Sequence, residues 1–168
     1  MITASRAVRS TSEDFLSSYA NYYVGNGALY TPQFGDRKAD ALAADVLLDQ
    51  DVFAGVGNIY RAEVLFRHGI DPKMPGTFLR REEFDAIWAD LVALMPIGVA
   101  TGRILTVEED VVAAEAALAA GEPVPVPDPL VPYVYKRTGE ACFVCGSRVR
   151  TAVVAGRNLF WCGRCQRR

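Results

Sequence analysis

Four cysteines, all that the chain contains, stand near its end as Cys142-Phe-Val-Cys145 and Cys162-Gly-Arg-Cys165, with sixteen residues between the pairs. This is the spacing of a zinc ribbon. Each CxxC turn presents two thiolates from one tight knuckle, and four soft donors complete the tetrahedral shell of a structural Zn²⁺. Gly146 and Gly163, just after the first knuckle and inside the second, give such turns backbone freedom. Residues 148–161 read as strand, Gly-containing turn, strand. The expected product is a β-hairpin with a knuckle at each end, holding one structural zinc on Cys142, Cys145, Cys162 and Cys165. Paired disulfides or a redox CxxC are the competing readings. They fit poorly, because the N-terminus lacks the apolar core of a secretory signal and no βαβ pattern surrounds either pair.

The charge of the chain is segregated. Overall it is −2, a poor match for a polyanion, yet residues 134–168 hold eight basic side chains (Lys136, Arg137, Arg148, Arg150, Arg157, Arg164, Arg167, Arg168) against Glu140 alone. The remainder is correspondingly acidic, so a basic patch that can neutralise several phosphates is carried on an acidic body. The plainer alternative is that these arginines only solvate a small metal module. A tail of roughly 35 residues cannot bury a core without a metal. Metal loss is therefore expected to unfold residues 133–168 and to leave the helical body standing.

At 168 residues, 51% of them hydrophobic, the chain can bury one helical core besides the metal-stapled tail. Residues 1–34, with Tyr19, Tyr22 and Tyr23 before Gly25, Gly27 and Pro32, suggest a short helix and then loop. Residues 36–53 place Leu42, Val46, Leu47 and Phe53 at core-facing helical positions, and residues 58–69 do the same with Ile59, Ala62, Val64, Leu65 and Phe66 before a stop at Gly69. A third helix begins near Arg81, carries Phe84, Ile87, Trp88, Leu91, Val92 and Leu94, and is expected to end before Pro96. Residues 108–120 form an acidic, Ala-rich helix, and five prolines between Pro123 and Pro132 make a stiff linker. No apolar run is expected to reach membrane-spanning length. His68 is best placed to help a helix C-terminus, Asp49 and Asp51 to be solvated, Trp88 to be core and Trp161 to pack the hairpin.

Between the helices of residues 36–53 and 58–69 lies Gly55-Val56-Gly57-Asn58. Two glycines allow a sharp turn and close approach by another molecule, and Asn58 opens a helix whose free N–H groups can face an anion. A tight corner with no ligand would look the same from the sequence.

Taken together, two long stretches carry a resemblance. Residues 47–66, with Phe53-Ala54-Gly55-Val56-Gly57-Asn58-Ile59-Tyr60-Arg61-Ala62-Glu63 at their centre and Gly69-Ile70-Asp71-Pro72 after them, resemble the helix-two-turn-helix of the formamidopyrimidine-DNA glycosylase and endonuclease VIII family. Tyr133-Val134-Tyr135-Lys136-Arg137-Thr138-Gly139-Glu140-Ala141-Cys142, and later Gly156-Arg157-Asn158-Leu159-Phe160-Trp161-Cys162, resemble its zinc-finger hairpin. The bacterial endonuclease VIII branch is the nearest in appearance. The resemblance implies a mainly α fold, a helical helix-two-turn-helix domain followed by a small zinc-ribbon hairpin. It divides the chain into a poorly matched segment 1–34, the DNA-binding domain 35–106, an acidic helix and Pro-rich linker 107–132, and the zinc finger 133–168.

The function implied is base-excision repair: flipping a damaged base, cleaving its glycosidic bond and nicking the abasic strand. Asn58 matches the asparagine that contacts phosphate near the lesion, with the amides of Gly55 and Gly57 alongside. Arg157 matches the hairpin-tip arginine that grips flanking phosphates and is assigned as proton donor for δ-elimination. Its bidentate fork suits phosphate, whereas a guanidinium is a poor acid. Lys136 and Arg137 are further candidate DNA contacts.

The family's nucleophile is an N-terminal proline followed by glutamate, leading a β-sandwich domain. Here Met1 is followed by Ile2 and Thr3, and neither that start nor the β-sandwich can be matched. Lys38, Lys73 and Lys136 are amines able in principle to form a Schiff base, but none lies in a recognisable pocket pattern. The expectation is the DNA-binding half of a glycosylase and AP lyase, not catalytically complete as given. Its partner would be duplex DNA bearing a damaged base or abasic site, and the chain would act as a monomer in the bacterial cytoplasm, without membrane association, with an N-terminal catalytic domain missing from this sequence. A stand-alone zinc-dependent binder of damaged DNA and a zinc-stapled protein adaptor are the alternatives.

Overall fold

The computed structural model describes residues 42–47 and 55–167. The expectations for residues 1–34, Lys38, Asp49, Asp51 and Phe53 lie outside the described residues. In order, the described elements are α1 (Ala43–Val46), α2 (Asn58–Arg67), a 3-10 turn (Gly76–Phe78), α3 (Arg81–Thr101), α4 (Glu108–Ala120), and an antiparallel hairpin of β1 (Val149–Val154) and β2 (Arg157–Cys162). The fold is mainly α with one two-stranded sheet, as the sequence implies.

α2 is the central element. Every residue from Tyr60 to Phe66 is buried, including Arg61 and Glu63. Tyr60, Val64 and Leu65 enter a core shared with α1, α3 and α4, while Ala62 and Phe66 enter a second core with Val134, Val149 and Phe160. The helix ends at His68 and Gly69, where the amides of Gly69 and Ile70 return to the carbonyls of Phe66 and Leu65.

α3 presents Phe84, Ile87, Leu91, Leu94 and Ile97 to the first core at helical spacing. It does not stop before Pro96 as expected but continues to Thr101, where Gly102 adopts a left-handed cap. Pro96 lies on the exposed side of the helix, one turn after the exposed Val92. The carbonyl that loses its amide partner therefore faces water, and the usual cost of an interior proline is reduced. An 18-residue stretch of α3 also reaches the length and apolarity of a membrane span, with a mean hydropathy of 1.5, contrary to expectation. Its five core-facing side chains are buried inside the protein.

The hairpin is packed onto α2 rather than tethered beside it. Successive side chains of a strand point to opposite faces, so Leu159 and Trp161 join the first core while Phe160 and Cys162 join the second. Ala155 and Gly156 both take positive φ at the tip, the conformation a two-residue turn needs to match strand twist. The chain entering the metal module is bound at Glu63. This carboxylate, 0% exposed, accepts the backbone N–H groups of Tyr133, Val134 and Tyr135 at 2.7–2.8 Å and the Thr106 hydroxyl at 2.8 Å.

Candidate metal centre and nucleic-acid interface

The two knuckles close on each other. Gly146, at φ 71°, follows the first, its amide returning to the Cys142 carbonyl at 2.9 Å, and the Cys142 amide bonds the Ser147 carbonyl at 2.8 Å. In the second, the Cys162 amide donates to Gln166 Oε1 at 2.8 Å, and the buried Gln166 in turn donates to the Ile70 carbonyl at 3.0 Å, fixing the knuckle to the helical body. Gly163 does not need a left-handed φ. Its missing side chain instead leaves room for the Arg150 guanidinium, whose Cζ lies 2.8 Å from where a Cβ would stand.

The four Sγ atoms lie within 4.8 Å of one another, with Cys142 to Cys165 at 3.8 Å and Cys145 to Cys162 at 3.4 Å. A tetrahedral Zn–S₄ shell with bonds near 2.3 Å requires about 3.8 Å between sulfurs, so the cluster is sized for one zinc ion. The thiols are also electrically unequal. The Ser147 backbone N–H and hydroxyl draw Cys145 down to about 6, whereas burial pushes Cys142 and Cys165 up. Four thiolates at this spacing need a divalent cation to coexist.

The second site joins residues a hundred positions apart. Gly55, at φ 82°, turns the chain into α2, and nothing stands within 4 Å of the position a Gly57 Cβ would occupy. The helix begins at Asn58 with Gly57 as its N-cap, so the Asn58 side chain is not used for capping. It reaches instead to the hairpin tip, where Nδ2 donates to the Asn158 carbonyl at 2.9 Å. Arg157, the neighbour of Asn158, is exposed at the start of β2. The Gly55–Asn58 turn, the first amides of α2 and the Arg157 guanidinium are thereby collected on one surface.

Arg61 is part of this junction and had no role in the sequence reading. It is 0% exposed, and its Nη2 donates to both Asn58 Oδ1 and the Asn158 carbonyl. Burial pulls its guanidinium below the ordinary arginine value, Asp45 works against this, and the charge of Arg157 adds to the lowering. Glu63, the other functional side chain left unassigned, shares the same helix. Both stand in the motif, but an arginine and a glutamate two residues apart on a helix read as solvated charges unless the helix is known to be covered.

Lys136 and Arg137 separate in the structure. Lys136 is exposed, at φ 58°, with Nζ 5.5 Å from the Tyr135 ring centroid. Arg137 is 6% exposed. Its donors go to Glu140 and to the carbonyls of Pro132, Tyr133 and Ala141, and its guanidinium lies 3.5 Å from the Phe143 ring centroid. Its guanidinium is committed to folding the loop that presents Lys136, a correction to its expected place on the outer surface.

Residues 35–109 match the model of the formamidopyrimidine-DNA glycosylase H2TH domain, and residues 139–168 match that of the zinc finger found in FPG and IleRS. The chain carries the C-terminal part of the formamidopyrimidine-DNA glycosylase and endonuclease VIII family. Among relatives, Endonuclease 8 1 of Mycobacterium tuberculosis H37Rv is 50% identical over 123 residues, 72% of this chain and 42% of that protein. The formamidopyrimidine-DNA glycosylase of Geobacillus kaustophilus is 39% identical over 122 residues, 73% of this chain and 41% of its own length. The structure is similar to Lactococcus lactis Fpg in complex with abasic-site DNA, with TM-score 0.58, 27% identity and coverage of 79% of this chain and 44% of that one. It is also similar to Thermus thermophilus MutM (TM-score 0.53, 32% identity, 74% and 44% coverage). The chain spans less than half the length of these relatives.

Proposed function

We propose that this chain is the DNA-binding half of a base-excision-repair glycosylase and AP lyase, holding the phosphate backbone of duplex DNA at a damaged base or abasic site. The observation that carries this reading is the bond between Asn58 and the hairpin tip, which brings together a helix N-terminus, a neutral amide and an exposed arginine with no ion pair among the described residues. Such a surface suits phosphate: backbone N–H groups and a helix dipole favour an anion, and a guanidinium binds it bidentately. Asn58, Arg157, Lys136 and the amides of Gly55 and Gly57 are the proposed contacts. The Lactococcus lactis relative, captured on abasic-site DNA, supports the same use of this half.

The zinc-binding cysteines hold the hairpin and so set where Arg157 stands. Zinc acts structurally, completing the fold of the tip. Phosphate contacts position a duplex without reading its bases, so the chain should show little sequence preference. Arg157 is assigned to phosphate grip rather than proton donation. The covalent step at the sugar falls to an amine outside this surface, and the place of action is the bacterial chromosome.

Binding to a duplex carrying a stable abasic-site analogue, titrated against salt, tests the reading. Asn58→Ala and Arg157→Ala should each weaken binding by about 1–3 kcal/mol, and log K should fall steeply with log salt. Under borohydride with true abasic DNA, the isolated chain should not become trapped. Wild-type affinity in both variants at every salt concentration would refute the assignment.

A further inference from the structure

Arg61 is an unusual residue to bury. It has no exposed surface, no carboxylate within ion-pair distance among the described residues, and two side-chain nitrogens, Nε and Nη1, that are buried without an acceptor. Burying a cation in this way is costly, and a methionine or leucine would fill the same volume more cheaply. Packing therefore does not explain it.

Its bonds do. Asn58 and Arg61 stand three residues apart and share a helix face. The Arg61 Nη2 group donates to Asn58 Oδ1 and, at 3.1 Å, to the Asn158 carbonyl that also receives Asn58 Nδ2 at 2.9 Å. A carboxamide has an acceptor edge and a donor edge of nearly equal shape. Turned one way, Asn58 offers N–H to an arriving phosphate; turned the other way, it offers a carbonyl oxygen that repels it. A guanidinium has donors only, so with Arg61 behind it Oδ1 is held inward. One Nδ2 hydrogen is taken by the Asn158 carbonyl, and the second remains for a ligand.

We propose that Arg61 is a positioning residue for DNA, which from behind the interface locks the Asn58 amide with its donor edge outward and ties it to the hairpin tip. The proposal rests on the reading of Asn58 and Arg157 as phosphate contacts. The influence of Arg157 on the Arg61 charge agrees with the two guanidinium groups sharing one electrostatic site.

The test is a double-mutant cycle on the full zinc-loaded chain, using a duplex with an abasic-site analogue. Arg61→Met should weaken binding about tenfold in the wild-type background and by less than about twofold when Asn58 is already alanine. The slope of log K against log salt should not change, because no phosphate contact of Arg61 itself is lost. Equal losses in the two backgrounds, no loss at all, or a slope smaller by about 0.9 would overturn the proposal, the last by making Arg61 a direct phosphate ligand.

Zinc content and thermal midpoint report whether Arg61→Met folds. If it does not, the wild-type protein still decides: in nitrogen-15 relaxation the Asn58 Nδ2 group should be as rigid as the backbone of the helix it stands on, and mobility typical of a free side chain would overturn the lock. If wild type fails to bind, or Asn58→Ala binds equally well, the function proposed above falls and this inference with it. If Asn58→Ala weakens binding while the cycle shows no coupling, only the inference falls.

Discussion

Replacing Glu63 with glutamine tests whether one buried carboxylate joins the metal module to the helical body. Oε1 accepts the amides of Val134 and Tyr135, and Oε2 accepts the amide of Tyr133 and the Thr106 hydroxyl. Glutamine keeps the volume and the Phe66–Tyr133 ring stack at 4.9 Å, so apolar packing is not what changes. One oxygen becomes an NH₂ group that cannot accept. If it takes the Oε2 position, the Thr106 hydroxyl can rotate and accept instead, but the Tyr133 N–H is left buried and unpaired. In the other orientation, two amides are orphaned. One charge-assisted bond lost and the rest reduced to neutral bonds gives about 2–4 kcal/mol of destabilisation. Urea unfolding followed by far-UV circular dichroism measures the total, and hydrogen exchange at residues 133–135 locates it. An unchanged midpoint together with unchanged protection of those three amides would refute the reasoning.

Contrary to the expectation from the sequence that the helical body would be left standing, chelating the zinc, or Cys162→Ser, should destabilise the helices as well as the hairpin, because Leu159 and Trp161 leave the first core. Their burial is worth about 2 kcal/mol or more each, and a helical melting midpoint untouched by metal removal would contradict this. Gly98→Ala should lower the melting temperature, since its Cβ would lie 2.5 Å from the Tyr60 hydroxyl and must displace a ring two residues from Asn58. About 1–3 kcal/mol of overpacking is expected by calorimetry, with DNA affinity falling in parallel. Acid should also unfold the protein through Asp90. Burial alone would raise its carboxyl, but hydrogen bonds from His68 and from the Arg67 fork hold it below the ordinary 3.8. A depressed folded value means that this stabilisation is complete above the ordinary value and disappears as pH falls through the folded one. Unfolding midpoints for wild type and Asp90→Asn should therefore converge toward low pH, and a constant gap would contradict the assignment.

Local chemistry with strict spacing was legible in the sequence. Two CxxC pairs at hairpin distance specify a tetrahedral thiolate site whatever surrounds them, because each knuckle is built by its own few residues. The Gly55-Val56-Gly57-Asn58 corner and the helical periods of residues 58–67 and 81–101 are similarly local. The Pro96 exception arose because the cost of a missing amide depends on whether its orphaned carbonyl meets water, which is a property of the neighbouring chain. Long-range partners were decided only in the folded molecule. The proline-rich stretch reads as a spacer, yet the segment after it is bound at Glu63, and β2 divides its side chains between two cores. Arg137 reads as one more basic surface residue until four protein acceptors and the Phe143 ring are found around it. Arg61 reads as solvated for the same reason. Periodicity reports which face of a helix is apolar, but whether a charged side chain on that helix is covered depends on what packs there, and here the cover comes from a hairpin almost a hundred residues away.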